Sequence, residues 1–283
     1  MPRMPSSLPA PVSFDFAGRR IAYRELGTGP RVIVLVHGLL MDVRMFTALA
    51  PMLAAAGNRV ILADMLGHGA SAQPHDMADY SMPQFGRDVI ALLDHLGVQQ
   101  AVVGGTSLGA NVALEAAVHA PERVRGLFVE MPVLEKGIAA AGAVFVPLAL
   151  ALRVNPLGMG LMARLARLVP RTHWIVDMGL DTLRRDTKAS LAVLDGLTFG
   201  RIAPPRELRR ALRQPALIVG HAADPIHPFA DAGKLADEMP RGRLVTARSA
   251  AEWRVMPKRL DEELCAFLDM VWGQPQSVAR AAS

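Results

Sequence analysis

The stretch AVVGGTSLGANVALEAAVH, at residues 101–119, places a serine between a short apolar run and a helical pattern. Residues 101–104 are expected to form a strand and residues 110–119 a helix, with Gly105-Thr106-Ser107-Leu108-Gly109 on the turn between them. The two glycines allow a sharp turn and a close approach of strand and helix. Ser107 would then expose its hydroxyl at the top of a sheet, beside a helix N-terminus that favours negative charge.

Seven further runs of strand-like residues surround this segment, and helical patterns alternate with the later ones. The predicted strands are residues 12–16, 20–25, 32–36, 59–63, 126–129, 216–219 and 243–246. Several of them are continuously apolar, which is typical of strands covered on both faces. The pattern predicts an α/β fold with a mostly parallel eight-stranded sheet and helices on both faces.

The alternation stops in the second half of the chain. Residues 133–213 are rich in Leu, Ala, Met and Arg and contain no strand-like run, so they are predicted to form a helical cap above the carboxyl edge of the sheet. Residues 1–132 and 214–272 are assigned to the core, and residues 273–283 to a flexible tail. The first thirteen residues lack the apolar region of a secretory signal and are expected to form a flexible leader.

Composition excludes several classes of protein. Apolar residues make up 51% of the 283 residues and charged residues 20%, which excludes global disorder. A single cysteine, Cys265, excludes a disulfide framework and a multi-cysteine metal site, and neither a metal nor another cofactor is expected. The most apolar stretch, residues 138–152, contains Pro147 and is shorter than the roughly 20 residues that cross a bilayer. We therefore expect no membrane-spanning segment and a cytoplasmic protein.

Positive charge is concentrated in the predicted cap. Residues 133–213 hold 13 Lys/Arg and 6 Asp/Glu, a net charge of +7, whereas the whole chain carries +5. The basic residues have no interleaved aromatics, so nucleic acid is not an expected partner. One interpretation is an ordinary solvated helical surface. The other is a cap that makes peripheral contact with anionic or lipid-like partners.

Two more motifs follow predicted strands. His37-Gly38-Leu39-Leu40 comes directly after VIVLV at residues 32–36, and a turn there would set the Leu39 amide opposite the Leu108 amide. Two backbone donors aimed at one point form an oxyanion hole. His37 itself is expected to fix the loop. After the next strand comes Asp64-Met65-Leu66-Gly67-His68-Gly69-Ala70-Ser71.

The order of these motifs resembles the α/β-hydrolase superfamily over about residues 12–272. The resemblance implies a serine nucleophile at Ser107, an acid after a late strand and a histidine near the C-terminus. The segment GHAADPIHP, at residues 220–228, resembles the acid-bearing segment of the family and assigns to Asp224 the carboxylate that orients the catalytic imidazole. A helix-capping role for Asp224 is the alternative.

The expected C-terminal histidine is missing. Residues 247–257 contain no histidine, and alignment on Pro257 puts Ser249-Ala250 where the family has Gly-His. Of the eight histidines, only His227 follows Asp224 in the chain. His227 is therefore either a relocated general base or an ordinary loop residue before a proline.

Three predicted residues complete the site as a substrate pocket: Glu130, Met159 and Met162. Glu130 ends a strand at the same edge and is also a candidate to orient a displaced histidine. Methionine adapts to varied apolar shapes, which suits an apolar acyl substrate.

The sequence thus predicts a serine hydrolase that cleaves carboxylic ester or thioester bonds of small apolar acyl substrates. Two alternatives stay open. One is a binding protein that kept the fold and lost the base. The other is a carbon–carbon hydrolase or lyase on the same fold.

Overall fold

The computed structural model describes residues 8–170, 174–249 and 252–273. Eight strands form one sheet, and all eight predicted runs are among them: β1 Val12–Phe16, β2 Arg19–Leu26, β3 Arg31–Val36, β4 Asn58–Asp64, β5 Ala101–Thr106, β6 Val124–Glu130, β7 Ala216–His221 and β8 Gly242–Ala247. Most are longer than predicted by one or two residues at an end. The leader residues 1–7 and the tail residues 274–283 lie outside the described residues.

The sheet has the strand order β1-β2-β4-β3-β5-β6-β7-β8. The pairs β1–β2 and β2–β4 are antiparallel, and every other pair is parallel. The six strands β3 to β8 are therefore parallel to one another and end at one carboxyl edge. The mostly parallel sheet predicted from the alternating pattern is confirmed.

Eleven α-helices are described along the chain: α1 Leu49–Ala55, α2 Met82–His95, α3 Leu108–His119, α4 Glu135–Val154, α5 Pro156–Leu168, α6 Trp174–Arg184, α7 Thr187–Thr198, α8 Arg206–Ala211, α9 Phe229–Glu238, α10 Glu252–Val255 and α11 Lys258–Gly273. They cover both faces of the sheet because alternate strand residues point to opposite sides. In β3, Val34 faces the core shared with α2 and α3, whereas Leu35 faces the core shared with α1 and α11.

The chain leaves the sheet after β6 and returns at β7, and helices α4 to α8 lie between. Asn111 of α3 binds the segment between β6 and β7 at two points. Its side-chain amide donates to the carbonyls of Val133 (2.7 Å) and Ile202 (2.9 Å). Leu152 of α4 and Leu194 of α7 are buried against Leu40, which follows β3. Helices α4 and α7 therefore pack on the loop after β3, at the carboxyl edge.

Helix α4 is longer than the apolar stretch at residues 138–152. It runs unbroken for 20 residues through Pro147, has a mean hydropathy of 2.0 over its most apolar window, and is long and apolar enough to cross a membrane by length and composition. The helix extends beyond the fifteen-residue apolar stretch at both ends, and Pro147 does not end it. A proline removes one backbone hydrogen bond, and the freed carbonyl of an exposed helix is solvated by water. Only 11% of the most apolar part of this helix is buried inside the protein.

Candidate active site

Ser107 lies on a sharp turn between β5 and α3. Its φ of 56° is in the left-handed region that side chains rarely adopt. A Cβ atom at Gly105 or Gly109 would come within 2.0 Å or 1.9 Å of the Val36 carbonyl oxygen, so the turn needs glycine at both positions. The Ser107 amide donates to the Glu130 carbonyl (2.8 Å), which fixes the turn against β6. The predicted strand, turn and helix around Ser107 are thus present.

His227 contacts the Ser107 hydroxyl. Its Nε2 atom lies 2.9 Å from Ser107 Oγ, and its Nδ1 atom lies 3.0 Å from Asp224 Oδ2. An Nδ1–H that donates to the carboxylate leaves Nε2 free to accept the proton of the hydroxyl. Serine, imidazole and carboxylate are therefore connected in the order that serine activation requires.

Asp224 follows β7, and its loop folds tightly around the carboxylate. The amides of Ile226 (2.8 Å) and His227 (2.9 Å) both donate to Asp224 Oδ1. Burial alone would raise the pKa of Asp224, but the His227 imidazole and these two amides lower it to about 2. The carboxylate is therefore ionised at ordinary pH and can hold the imidazole in one tautomer. The three-residue separation puts the carboxylate and the imidazole on one short loop.

The other described histidines serve different purposes. His37 accepts a hydrogen bond from the Met65 amide (3.0 Å), and His68 accepts one from the Leu40 amide (3.2 Å). Burial lowers the pKa of both rings, so they stay neutral. They tie together the loops after β3 and β4, as expected for His37. His173, in the predicted cap, lies outside the described residues.

A buried ionic cluster lies behind Ser107, at the ends of β5, β6 and β7. The Glu130 carboxylate accepts hydrogen bonds from Thr106, from His221 Nε2 (3.1 Å) and from two nitrogens of Arg254 (2.8 and 3.1 Å). Burial would raise the pKa of Glu130, but the charge of Arg254 and the His221 hydrogen bond hold it well below its usual value. Burial would lower the pKa of His221, but Glu130 raises it above 6.5.

This cluster corrects the prediction that Glu130 lines the substrate pocket. The carboxylate is buried and bonded to groups of the sheet edge, because Thr106 and Glu130 are paired across β5 and β6. Nor does Glu130 orient the displaced histidine, since its imidazole partner is His221. The sequence indicates only part of this cluster. A glutamate that ends an otherwise apolar strand is expected to need a cationic partner, but the chain contains many arginines and the sequence does not show which one it is.

The segment after β8, where the family pattern predicts a histidine, is anchored by other contacts. His221 Nδ1 donates to the Ser249 carbonyl (2.8 Å), and the Trp253 indole donates to Asp261 (2.7 Å). Glu252 binds Arg259 (2.9 Å). Ala250, which aligns with the family histidine, lies outside the described residues.

Met159 and Met162 line a small cavity among the helices that follow β6. Their role as a substrate pocket stays a prediction. The cavity wall also contains Leu40, from the loop after β3, and Arg185, whose guanidinium donates to the Gly67 carbonyl. Leu39 precedes Leu40 on the same loop, and its amide donates to no protein acceptor within the described residues. Leu108 is the first residue of α3, so its amide has no acceptor within the helix. The oxyanion hole at Leu39 and Leu108 stays a prediction.

A cleft of about 510 Å³ opens elsewhere on the protein. It is lined by residues before or at the start of β3 and β5, among them Gly29, Val32 and Gln100. These positions lie at the amino edge of the parallel strands, opposite Ser107. Ligands of open α/β sheets bind at the carboxyl edge, so this cleft is not the candidate site.

Removal of the Glu130 charge should destabilise the fold strongly. In Glu130→Gln, Arg254 and His221 lose their buried counter-charge, which should reduce the free energy of unfolding by about 3 kcal/mol. Denaturant unfolding measures this. Arg153→Gln is the matched control: Arg153 pairs with Asp195 at the surface (2.6 Å), where a loss below about 1 kcal/mol is expected. Equal losses in the two variants would contradict the account.

The difference in the free energy of unfolding between wild type and Glu130→Gln should depend on pH. The folded-state pKa of Glu130 is lowered from 4.5, so its contribution is complete above that value and is lost as the pH falls. The folded-state pKa of His221 is raised from 6.5, so its contribution is complete below that value and is lost as the pH rises. The gap between wild type and Glu130→Gln should therefore be largest between about pH 4.5 and 6.5.

Comparison with known proteins identifies the family. A model of the alpha/beta hydrolase fold matches residues 31–145. The 2-hydroxymuconate semialdehyde hydrolase of Pseudomonas putida is 30% identical over 207 residues, which are 69% of this chain and 70% of that protein. The fold, the serine turn and these matches together show that the chain belongs to the α/β-hydrolase superfamily.

Other relatives share less of their length with the chain. The dihydrolipoyllysine-residue acetyltransferase component of the acetoin cleaving system of Pseudomonas putida is 40% identical over 120 residues, 42% of this chain, but the chain spans only 32% of that protein. It spans 20% of the matched bifunctional epoxide hydrolases. The solved structure of the enol-lactonase from Burkholderia xenovorans LB400 superimposes with a TM-score of 0.74 at 21% identity, covering 91% of this chain and 99% of that chain. At this identity the likeness shows the fold alone.

Proposed function

We propose that the protein is a serine hydrolase that cleaves carboxylic ester or thioester bonds of apolar acyl substrates. One observation carries the proposal: His227 Nε2 lies 2.9 Å from Ser107 Oγ while His227 Nδ1 lies 3.0 Å from Asp224. A serine hydroxyl is a weak nucleophile until a base takes its proton. The contact supports His227 as that base, although the C-terminal histidine of the family pattern is missing. It therefore disfavours a purely non-catalytic binding protein.

The proposed reaction has two halves. Ser107 Oγ attacks the acyl carbonyl carbon as its proton passes to His227, and the carbonyl oxygen becomes an oxyanion. The amides of Leu39 and Leu108 are proposed to hold the oxyanion, each contributing about 10²–10³-fold. His227 then protonates the leaving alcohol or thiol. Water, deprotonated by the same imidazole, releases the acid and restores Ser107.

Asp224 acts through His227 in this scheme. Its ionised carboxylate keeps the Nδ1–H tautomer and stabilises the imidazolium that forms at each proton transfer. A serine nucleophile also separates this chain from epoxide hydrolysis, which uses a carboxylate nucleophile in related families. The relatives named as epoxide hydrolases are thus weak guides to its chemistry.

We further propose that residues 133–213 form the cap that selects the acyl group. Support comes from Met159 and Met162, which line the cavity beside Leu40, one residue from the proposed oxyanion donor Leu39. A wall of Leu and Met side chains favours an apolar group over a polar one. The substrate is a small molecule, and no nucleic acid is proposed.

A panel of p-nitrophenyl esters and acyl thioesters of increasing chain length tests this function. We expect hydrolysis, with kcat/KM rising up to about fourfold per added methylene while the chain is being buried, because each buried methylene contributes about 0.8 kcal/mol. Met159→Gln should flatten this dependence. Met270→Gln, at a methionine on α11 that is 41% exposed, should leave it unchanged. If wild type hydrolyses no ester or thioester above background, the proposal is wrong.

Carbon–carbon bond hydrolysis is the second candidate. The observation that favours it is the match to 2-hydroxymuconate semialdehyde hydrolase, which spans 70% of that protein. The same serine, imidazole and carboxylate would take part. Turnover of 2-hydroxymuconate semialdehyde with no turnover of the ester panel would favour this candidate.

A further inference from the structure

Helices α4 and α5 leave a large apolar surface uncovered. Val154, at the end of α4, is 74% exposed, and Leu157 and Leu168 of α5 are 88% and 78% exposed. We call this surface the apolar outer face, and its main residues are Leu150, Val154, Leu157, Leu161, Leu165 and Leu168. Monomeric soluble proteins rarely expose a contiguous apolar patch of this kind unless it binds something.

The exposed leucines of the apolar outer face lie in a row along one side of α5. In α5 the exposed leucines at 157, 161, 165 and 168 recur every three or four residues, which sets them on one side of the helix. Ala163 and Ala166 are buried on the other side. The large side chains therefore point away from the protein, while the small ones pack against it.

The helices that carry this face hold cations and no anions of their own. Residues 137–169 contain Arg153, Arg164 and Arg167 and no Asp or Glu. Arg153 pairs with Asp195 of α7 (2.6 Å), so the positive charge beside the leucines of α5 comes from Arg164 and Arg167. Exposed leucines flanked by arginines are the pattern of helices that lie in a membrane interface, where the apolar side enters the acyl boundary and the cations meet anionic headgroups.

A second copy of the chain fits this surface poorly. In a two-fold dimer the same patch would face itself, so Arg164 and Arg167 of each copy would meet with no carboxylate from residues 137–169 to offset them. An anionic lipid surface supplies the missing negative charge.

Helix α4 also cannot leave the protein to span a bilayer without breaking its contacts. The Gly137 amide donates to the buried Asp231 carboxylate (2.7 Å) at one end of α4. At the other end Leu152 is buried with Leu40 and Leu194. We propose that α4 and α5 dock the protein on an anionic lipid bilayer through the apolar outer face, lying on the membrane and not across it.

Docking in this orientation would bring the cavity close to lipid. Leu148 and Leu152 of α4 and Met159 of α5 line the cavity, so the helices that touch the bilayer on one side face the cavity on the other. The docking proposal stands without the catalytic one, because it concerns only the outer side of these helices.

Vesicle co-sedimentation of the full chain tests the docking. Wild type should sediment with vesicles of an equal mixture of phosphatidylcholine and phosphatidylglycerol, and the binding should weaken at high salt. The double variant Leu161→Gln/Leu165→Gln should bind at least about tenfold more weakly, since two leucines no longer enter the acyl region. Both positions are exposed, so the fold should persist. Val12→Gln, at a 54% exposed valine of the edge strand β1, is the matched control and should bind as wild type.

Other outcomes would overturn the proposal. Absence of wild-type binding to the mixed vesicles would do so, and so would equal binding by the double variant. Light scattering of the same samples covers self-association: a wild-type dimer that the double variant converts to a monomer, with no vesicle binding, would assign the face to a second copy. Ser107→Ala should bind vesicles as wild type, which separates docking from catalysis.

Discussion

Replacement of Ser107 by alanine should abolish ester hydrolysis, with kcat lowered by at least about 10⁴-fold. The variant keeps the turn and the cavity but loses the oxygen that attacks the acyl carbon. Folding should persist, because alanine and serine are equally strained at a φ of 56° and the lost hydrogen bond to His227 contributes about 1 kcal/mol. Steady-state rates on the best ester of the panel, with circular dichroism of both proteins, measure this.

Ser81→Ala is the control for that result. Ser81 caps helix α2 by accepting a hydrogen bond from the Gln84 amide (3.3 Å). Its replacement should cost about 1 kcal/mol of stability and leave the rate unchanged. If Ser107→Ala retained wild-type activity, Ser107 would not be the nucleophile and the proposed serine mechanism would be wrong.

Replacement of His227 by alanine should lower kcat/KM by about 10²–10⁴-fold, the usual effect of a general base. Ser107 would keep its position, but no imidazole would lie within hydrogen-bond distance of its hydroxyl. His95→Ala is the control, because His95 stacks on Phe14 (ring centroids 4.8 Å apart) and should not affect the rate.

The family pattern offers a rescue for the same experiment. Ala250 aligns with the usual catalytic histidine, so Ala250→His in the His227→Ala background should recover part of the activity. Recovery would show that the two positions can serve the same role. If His227→Ala alone left the rate at the wild-type value, the base would be another group or absent, and the assignment of His227 would be wrong.

Local signals explain why so much of the fold could be predicted. Continuous apolar runs between turn residues identify several buried strands, and all eight predicted runs coincide with strands of the sheet. The turn at Ser107 was equally readable, because Gly105 and Gly109 are required by their contacts with the Val36 carbonyl. Each of these features depends on neighbours in the chain or on one adjacent strand.

The hydrogen-bond partners that lie far apart in the chain could not be predicted in the same way. Glu130 meets Arg254, 124 residues away, and His221, 91 residues away. A sequence shows that a carboxylate ends an apolar strand, but not which of many cations reaches it. Glu130 was therefore placed in the pocket, when it belongs to a cluster behind Ser107.

His227 is an intermediate case. Its position three residues after Asp224 placed it on the right loop, but the direction of the ring depends on the backbone of that loop. The positive φ of Ala223 (59°) and the two amides that bind Asp224 Oδ1 fold the loop back on the carboxylate. The order of the residues in the chain does not predict this turn of the loop.

The central claim is that a relocated imidazole, His227, activates Ser107. The most direct test is the rate at which a fluorophosphonate labels the protein, with the modified residue located by mass spectrometry. The account predicts labelling at Ser107 in wild type, and labelling at least about 10²-fold slower in His227→Ala. Labelling of Ser107 at the same rate in both proteins, or no labelling of wild type, would contradict it.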